Sequence, residues 1–232
     1  MKSITIPTLA LLFIAMTFVS CDNSNPMAEV NYEFNVNKAT SQAKVKSTDS
    51  SPTLMDTANV QFSSGYITIR EIVFDGDMVE GGSVSITHEQ VAEIDVATGN
   101  TTPSLDAVQI PAGTYSSPNL GIELQDVNDQ PQMVINGTFT DDTGSQVPLR
   151  FEFNSGEVFE AESDQVTLVE NQVATAVITF DPVFWFSDVT TEMLNNATRN
   201  GEGVIVISET SNADIFTNVA DKLDVATQAT FQ

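Results

Sequence analysis

Gly65-Tyr66-Ile67-Thr68-Ile69-Arg70-Glu71-Ile72-Val73-Phe74 is the stretch on which the fold turns. β-Branched and aromatic side chains fill most of it, and Asp75-Gly76-Asp77 closes it with turn formers. Such residues pack well on a pleated surface and lose rotamer freedom in a helix. The texture continues on both sides. Upstream, Asn31-Tyr32-Glu33-Phe34-Asn35-Val36-Asn37 alternates polar and apolar without a fault, the period of a half-buried strand. Downstream, residues 84–86, 91–96 and 110–115 read as strands, with Gly99-Asn100 as a turn, and 120–124 follows before a break at 126–131. Residues 133–139 and 147–153 flank Asp141-Asp142-Thr143-Gly144 as a hairpin. Residues 166–168 and 173–180 read as a second hairpin, turning at Glu170-Asn171. Strands about ten residues apart, separated by Gly, Asn and Asp, predict a mainly-β fold, an antiparallel β-sandwich.

The C-terminal stretch has another period. Asp181-Pro182 stops the last long strand. Ser187 or Asp188 can cap a short helix to about Thr198, with Val189, Met193 and Leu194 on one face. Residues 204–207 form a short apolar run, and Asp214 can cap a second helix carrying Ile215, Phe216, Val219, Leu223 and Ala226. The expected organisation is one domain over 30–232, with a helical appendix from about 182.

The first twenty residues stand apart. Lys2 precedes an apolar run over 4–19, too short for a comfortable span and ordered like a secretory signal. It ends in Phe18-Val19-Ser20-Cys21, with the only cysteine of the chain directly behind a small residue. This resembles the lipobox of bacterial lipoproteins, which implies cleavage before Cys21 and acylation of its thiol. Acyl chains would then hold the protein to a bilayer, each buried CH₂ contributing about 0.8 kcal/mol. Residues 21–29 read as the lipidated tether. The Asp at position 22 resembles an inner-membrane retention signal of enteric bacteria. The acidic, Thr- and Asn-rich composition resembles that of Bacteroidota envelope lipoproteins, many of which face outward from the outer membrane. A second segment poor in bulky side chains, 38–58, reads as a long loop. Its Asp56-Thr57-Ala58 resembles a Bacteroidota O-glycosylation motif.

Charge removes whole classes of function. The chain has 232 residues, with 8 Lys+Arg against 32 Asp+Glu, a formal net charge of −24. Such a surface repels phosphate backbones and anionic headgroups, so no nucleic-acid partner is expected. One cysteine permits no internal disulfide, and one histidine makes a histidine-based metal site or a serine-protease triad unattractive.

Ile110-Pro111-Ala112-Gly113-Thr114-Tyr115, followed by Leu120-Gly121-Ile122-Glu123-Leu124, resembles a Pro-x-Gly-Thr-Tyr-strand signature. It occurs in uncharacterised Bacteroidota cell-envelope lipoproteins with a transthyretin-like or immunoglobulin-like sandwich. In them it follows a strand like 67–74 and a segment like Ile94-Asp95-Val96. The likeness spans roughly 58–125 and implies the fold; it implies no catalytic residue.

Three constellations are weighed for chemistry. Asp75 and Asp77, Asp126 and Asp129, and Asp141 and Asp142 lie in loops that could gather oxygen ligands for Ca²⁺, although none has EF-hand spacing. The same residues are also ordinary turn formers. Glu157, Glu160, Glu162 and Asp164 read as a solvated edge or loop. Val183-Phe184-Trp185-Phe186 either plugs the core against a helix or offers Trp185 to stack on a sugar ring. His88 reads as an exposed strand or loop residue, and Arg70 and Arg150 as partners of cross-strand carboxylates. Together these readings predict no cofactor and a non-enzymatic, lipid-anchored binding or structural module of the envelope. The alternatives are a glycan-binding accessory lipoprotein of an outer-membrane uptake system and a Ca²⁺-stabilised adhesin or fimbria-like subunit.

Overall fold

The computed structural model describes residues 26–38, 58–127, 129–223 and 227–232. The decisive run lies inside β2 (Val60–Asp77), an 18-residue strand that serves two flanks of one sheet. Its first half pairs antiparallel with β8 (Met133–Thr140), from Val60↔Phe139 to Ile67↔Met133. Its second half pairs with β7 (Asn119–Leu124), from Ile69↔Leu124 to Asp75↔Asn119. Along the other edge runs β3 (Ser83–Asp95), and β3 pairs at its end with β4 (Thr101–Thr102).

The change of partner needs an irregular backbone. The register shifts between Phe62 and Ser64 and again between Ile69 and Glu71. Gly65 sits between these bulges at φ +140°, and a Cβ there would lie 1.9 Å from the Val134 carbonyl oxygen. Only glycine fits that close approach.

Beyond β8 the sheet continues through β9 (Gln146–Phe153) to β13 (Ile205–Ile207). Beyond β7 it continues through β10 (Val158–Glu162), β14 (Gln228–Phe231), β12 (Val173–Phe180) and β1 (Met27–Val36) to β5 (Val108–Pro111). A small second sheet pairs β6 (Gly113–Tyr115) with β11 (Val166–Leu168). The large sheet curls until β1 faces β3, where the Tyr32 and His88 rings lie 6.2 Å apart. The architecture is the expected mainly-β, sandwich-like one. Most ladders are antiparallel, but β1–β12, β10–β14 and β9–β13 run parallel.

Aromatic rings fill the interior. Phe34 stacks on Phe180, and Phe62 meets Phe186 at 5.0 Å. Phe216 stacks on Phe151 and Phe153. Phe74 meets the buried Tyr115 edge-on at 5.0 Å, and the Tyr115 hydroxyl donates back to the Pro111 carbonyl at 2.7 Å. The Pro-x-Gly-Thr-Tyr segment thus folds its tyrosine into the core and locks it to its own proline.

Several expectations need correction. Residues 84–86 and 91–95 belong to one strand, β3, which stops one residue short of Val96 and whose inner positions from Val84 to Gln90 are only half-buried. The middle of the acidic run is β10, with Glu157 and Asp164 outside it: Phe159 and Ala161 face inward while Glu160 and Glu162 face out. Asn171 does turn the chain, at φ +57°, yet β11 and β12 do not pair with each other. The segment from 182 is no appendix, because β14 lies between β10 and β12 and β13 pairs with β9. Its helices are α1 (Pro182–Trp185), α2 (Thr191–Asn196) and α3 (Ala213–Ala220). Asp181 caps the first, accepting from the Phe184 N–H at 3.0 Å, and Thr190 caps the second. Asn212, not Asp214, stands at the start of α3.

Candidate functional site

The leader, Cys21, residues 22–25 of the tether, and Asp56-Thr57 of the glycosylation motif lie outside the described residues. Residues 27–29, expected as the end of the tether, are instead the start of β1, paired with Gln109–Pro111.

The six aspartates proposed as calcium ligands do not converge. Asp75 and Asp77 end β2, next to Asn119, whereas Asp141 and Asp142 follow β8, whose Phe139 pairs with Val60. Fifteen residues of extended chain separate those two ladder positions, roughly 50 Å. Asp126 and Asp129 follow β7, which meets β2 at Ile69 near its middle. The aspartates do local work instead. Asp141 accepts from the Thr143 hydroxyl at 2.7 Å, the Thr143 N–H at 2.9 Å and the Ser145 N–H at 2.8 Å. These bonds, the Thr143 hydroxyl foremost, hold its carboxyl below the usual range. Asp142 accepts from the Asn195 amide at 2.6 Å, and Asp77 from the Ser83 hydroxyl at 2.5 Å. Among the described residues no group of three His, Cys, Asp or Glu side chains is arranged to hold a metal ion.

Trp185 is fully buried. Its ring stacks on Phe159 and meets Phe180 edge-on, so it plugs the core and has no face to offer a sugar. Arg70 bridges Glu123 at 3.0 Å across strands and its neighbour Glu71 at 3.3 Å. Arg150 pairs with Glu152 on its own strand, not across. His88 is half-buried on the inner face of β3, against Tyr32.

That contact lies beneath the most distinctive surface feature, a groove along one edge of β1. In the parallel ladder with β12, the N–H groups of Glu29 and Asn37 donate to the carbonyls of Gln172 and Phe180. Those two bonds bracket the ladder, so odd-numbered residues of β1 point their backbone groups at β12 and even-numbered ones point away. The groups of Ala28 and Val30 point to β5, which pairs only with Met27–Val30. Beyond Val30 no β5 residue accompanies β1. Gln90 on β3 holds the incoming chain aside: its side-chain amide donates to the Ser104 carbonyl at 3.0 Å and accepts from the Asp106 N–H at 2.9 Å. His88 lies 3.0 Å from the same Gln90 oxygen.

The result is a groove of about 780 Å³ lined by Asn31, Glu33, Asn35, Thr98, Asn100 and Ser104, with Tyr32 at its floor. The backbone N–H and C=O of Tyr32 face into it. At its far end Gly99 closes on β1, since a Cβ there would come within 2.0 Å of the Phe34 carbonyl oxygen. The Tyr32 hydroxyl is buried with no hydrogen-bond partner among the described residues, and burial pushes its pKa upward. A strand edge with no β5 neighbour beyond Val30 is suited to an added extended segment. The sequence marked Tyr32 as a strand residue and Gly99-Asn100 as a turn. Nothing local marked Gln90 as the residue that opens the groove, because it acts on a segment 14 and 16 residues away.

A second groove, about 700 Å³, opens where β10 and β14 meet through the single pair Glu162↔Gln228. Glu160, Glu162 and Asp164 line it, and Glu160 already accepts a hydrogen bond from Asn119.

Comparison with protein-family profiles, with curated proteins and with solved structures finds no match to this chain.

Proposed function

We propose that this protein is a lipid-anchored, non-catalytic binding module of the bacterial cell envelope, of the kind seen in Bacteroidota lipoproteins. The observation that carries the reading is the place of Cys21. It follows an apolar leader, has a small residue before it, is the only cysteine in the chain, and stands six positions ahead of the first strand. A signal boundary so close to the first strand leaves little between the lipid and the folded body except a polar tether. Several carboxylates are already engaged within the fold, which supports a non-catalytic role: Asp141 by Thr143 and Ser145, Asp142 by Asn195, and Glu71 and Glu123 by Arg70. The β1 groove is the surface on which such a module would hold an extended segment. The glycan-uptake reading rested on Trp185 and loses its residue.

Metabolic labelling with palmitate, followed by mass spectrometry of the N-terminal peptide, tests the anchor. The wild type is expected to carry acyl chains on residue 21, and Cys21→Ser to lose both label and membrane association. A bare thiol on an uncut chain in the native host overturns it. Selection from a displayed library of random extended peptides tests the groove. Ligands should be lost on Asn100→Trp, which fills the opening while leaving the circular dichroism unchanged. Ligands indifferent to that substitution would place binding elsewhere.

A further inference from the structure

The end of the body from which the tether leaves is ringed by hydrogen bonds. The Pro26 carbonyl accepts from the Ala112 N–H at 2.7 Å, and the Met27 carbonyl accepts from the Asn171 N–H at 3.0 Å. Gly113, next to Ala112, pairs with Leu168, and the 169–172 turn leads back to Asn171. The β2–β3 hairpin joins the ring, its Val79 N–H donating to the Thr114 carbonyl at 2.8 Å.

This ring carries three of the six large apolar side chains that are exposed among the described residues: Val79 at 58 %, Val169 at 46 % and Val173 at 61 %. Thr114, which accepts from Val79, pairs with Thr167, two residues before Val169. Val169 and Gln172 close a tight turn, and Val173 follows directly. The charged side chains next to these valines in the chain, Glu80 and Glu170, are acidic. None of the described Lys and Arg residues (Lys38, Arg70, Arg150, Arg199, Lys222) belongs to the segments of this ring.

We infer that this end rests on the surface of a zwitterionic bilayer, with Val79, Val169 and Val173 in the headgroup layer. The inference rests on the acylation of Cys21 proposed above. Six residues lead from Cys21 to Met27, and a fully extended chain advances at most about 3.5 Å per residue. The rim therefore stays within about 20 Å of the lipid boundary. At that range exposed valines leave water for the interface, and the flanking carboxylates select against anionic headgroups. The β1 edge from Asn31 onward then leads away from the membrane, which leaves the groove open to partners.

The test uses lipidated protein purified from membranes and reconstituted into phosphatidylcholine vesicles. Acylation occupies the native thiol, so Val173→Cys or Val91→Cys supplies one labelling position. A polarity-sensitive fluorophore at 173 should shift to the blue and be quenched at least twofold more by a lipid-borne quencher than one at 91. Including about a third of anionic lipid should reduce quenching at 173, and high salt should restore it. Equal quenching at both positions, on protein that floats with the vesicles, overturns the inference and leaves the anchor standing. Quenching of 173 that rises with anionic lipid also overturns it. Wild-type protein that fails to float removes the anchor, and the inference falls with it.

Discussion

The indole of Trp185 lies on the ring of Phe159, with centroids 5.9 Å apart and planes inclined by 25°. The contact joins α1 to β10, the strand whose sequence reads as an acidic loop. Trp185→Ala removes the largest fully buried side chain and should cost about 3–5 kcal/mol. Urea denaturation measures it. The native emission should be blue-shifted and shielded from iodide. A solvent-quenched native Trp185 would contradict the packing described.

Gly65 permits the change of partner along β2. Gly65→Ala imposes a side chain at φ +140° against the Val134 carbonyl. The backbone strain alone should cost about 1–3 kcal/mol, and the close contact adds to it. The urea midpoint should fall, and hydrogen exchange should accelerate first at the β2–β8 ladder. An unchanged midpoint would show that the bulge relaxes without penalty.

Glu123 and Asp141 should move stability in opposite directions with pH. Burial, and then the hydrogen bond with Glu71, raise the Glu123 pKa above the usual glutamate value despite Arg70. The folded state therefore binds this proton more tightly than the unfolded chain. Stability contributed by the protonated form is present below the ordinary carboxylate pKa and is lost as pH rises through the raised one. Glu123→Gln should flatten that fall as pH rises above the ordinary glutamate value, read by denaturation midpoints. No difference in slope would contradict the shift.

Asp141 has the reverse sign. The turn hydrogen bonds lower its pKa, so its contribution is complete above the ordinary aspartate value and disappears as pH falls through the depressed one. Asp141→Ala should destabilise the β8–β9 hairpin near neutrality and have little further effect in strong acid. Amide exchange of Thr143 and Ser145 reports it locally.

Asn212 holds three groups at once. Its side-chain oxygen accepts from the Thr198 N–H at 2.8 Å, and its amide donates to the carbonyls of Val206 at 2.7 Å and Thr198 at 3.0 Å. Its backbone sits at φ +52°. Asn212→Ala loses the bonds and meets the backbone penalty, at a cost of about 2–4 kcal/mol. Asn212→Gly keeps the backbone freedom and should lose less, so the difference isolates the penalty. Equal midpoints for the two variants would deny it.

Where the chain alternates or carries a turn, its local structure was legible. The alternation of 31–37, the run 65–74 and the Asp141–Gly144 turn all read as the strands and hairpin that form. Pairing between distant segments was not legible. Glu170-Asn171 does turn, yet β12 finds its partners at β1 and β14, because neighbours in a curled sheet are chosen by the shape of the core. The outward carboxylates of β10 concealed the inward Phe159 and Ala161. Gln228-Ala229-Thr230-Phe231 carries too little apolar surface to announce an interior strand. The candidate calcium residues were legible only as turn formers; Asp141 and Asp142 do serve the β8–β9 turn, whereas Asp75 and Asp77 continue β2 in its ladder with β3. The β1 groove was not legible, since it arises from a strand that stops short and a glutamine on another strand.

The position of β14 constrains how this protein is made. A strand contributed by residues 228–231 lies inside the sheet, so β10 and β12 gain their shared neighbour only after residue 231 has left the ribosome.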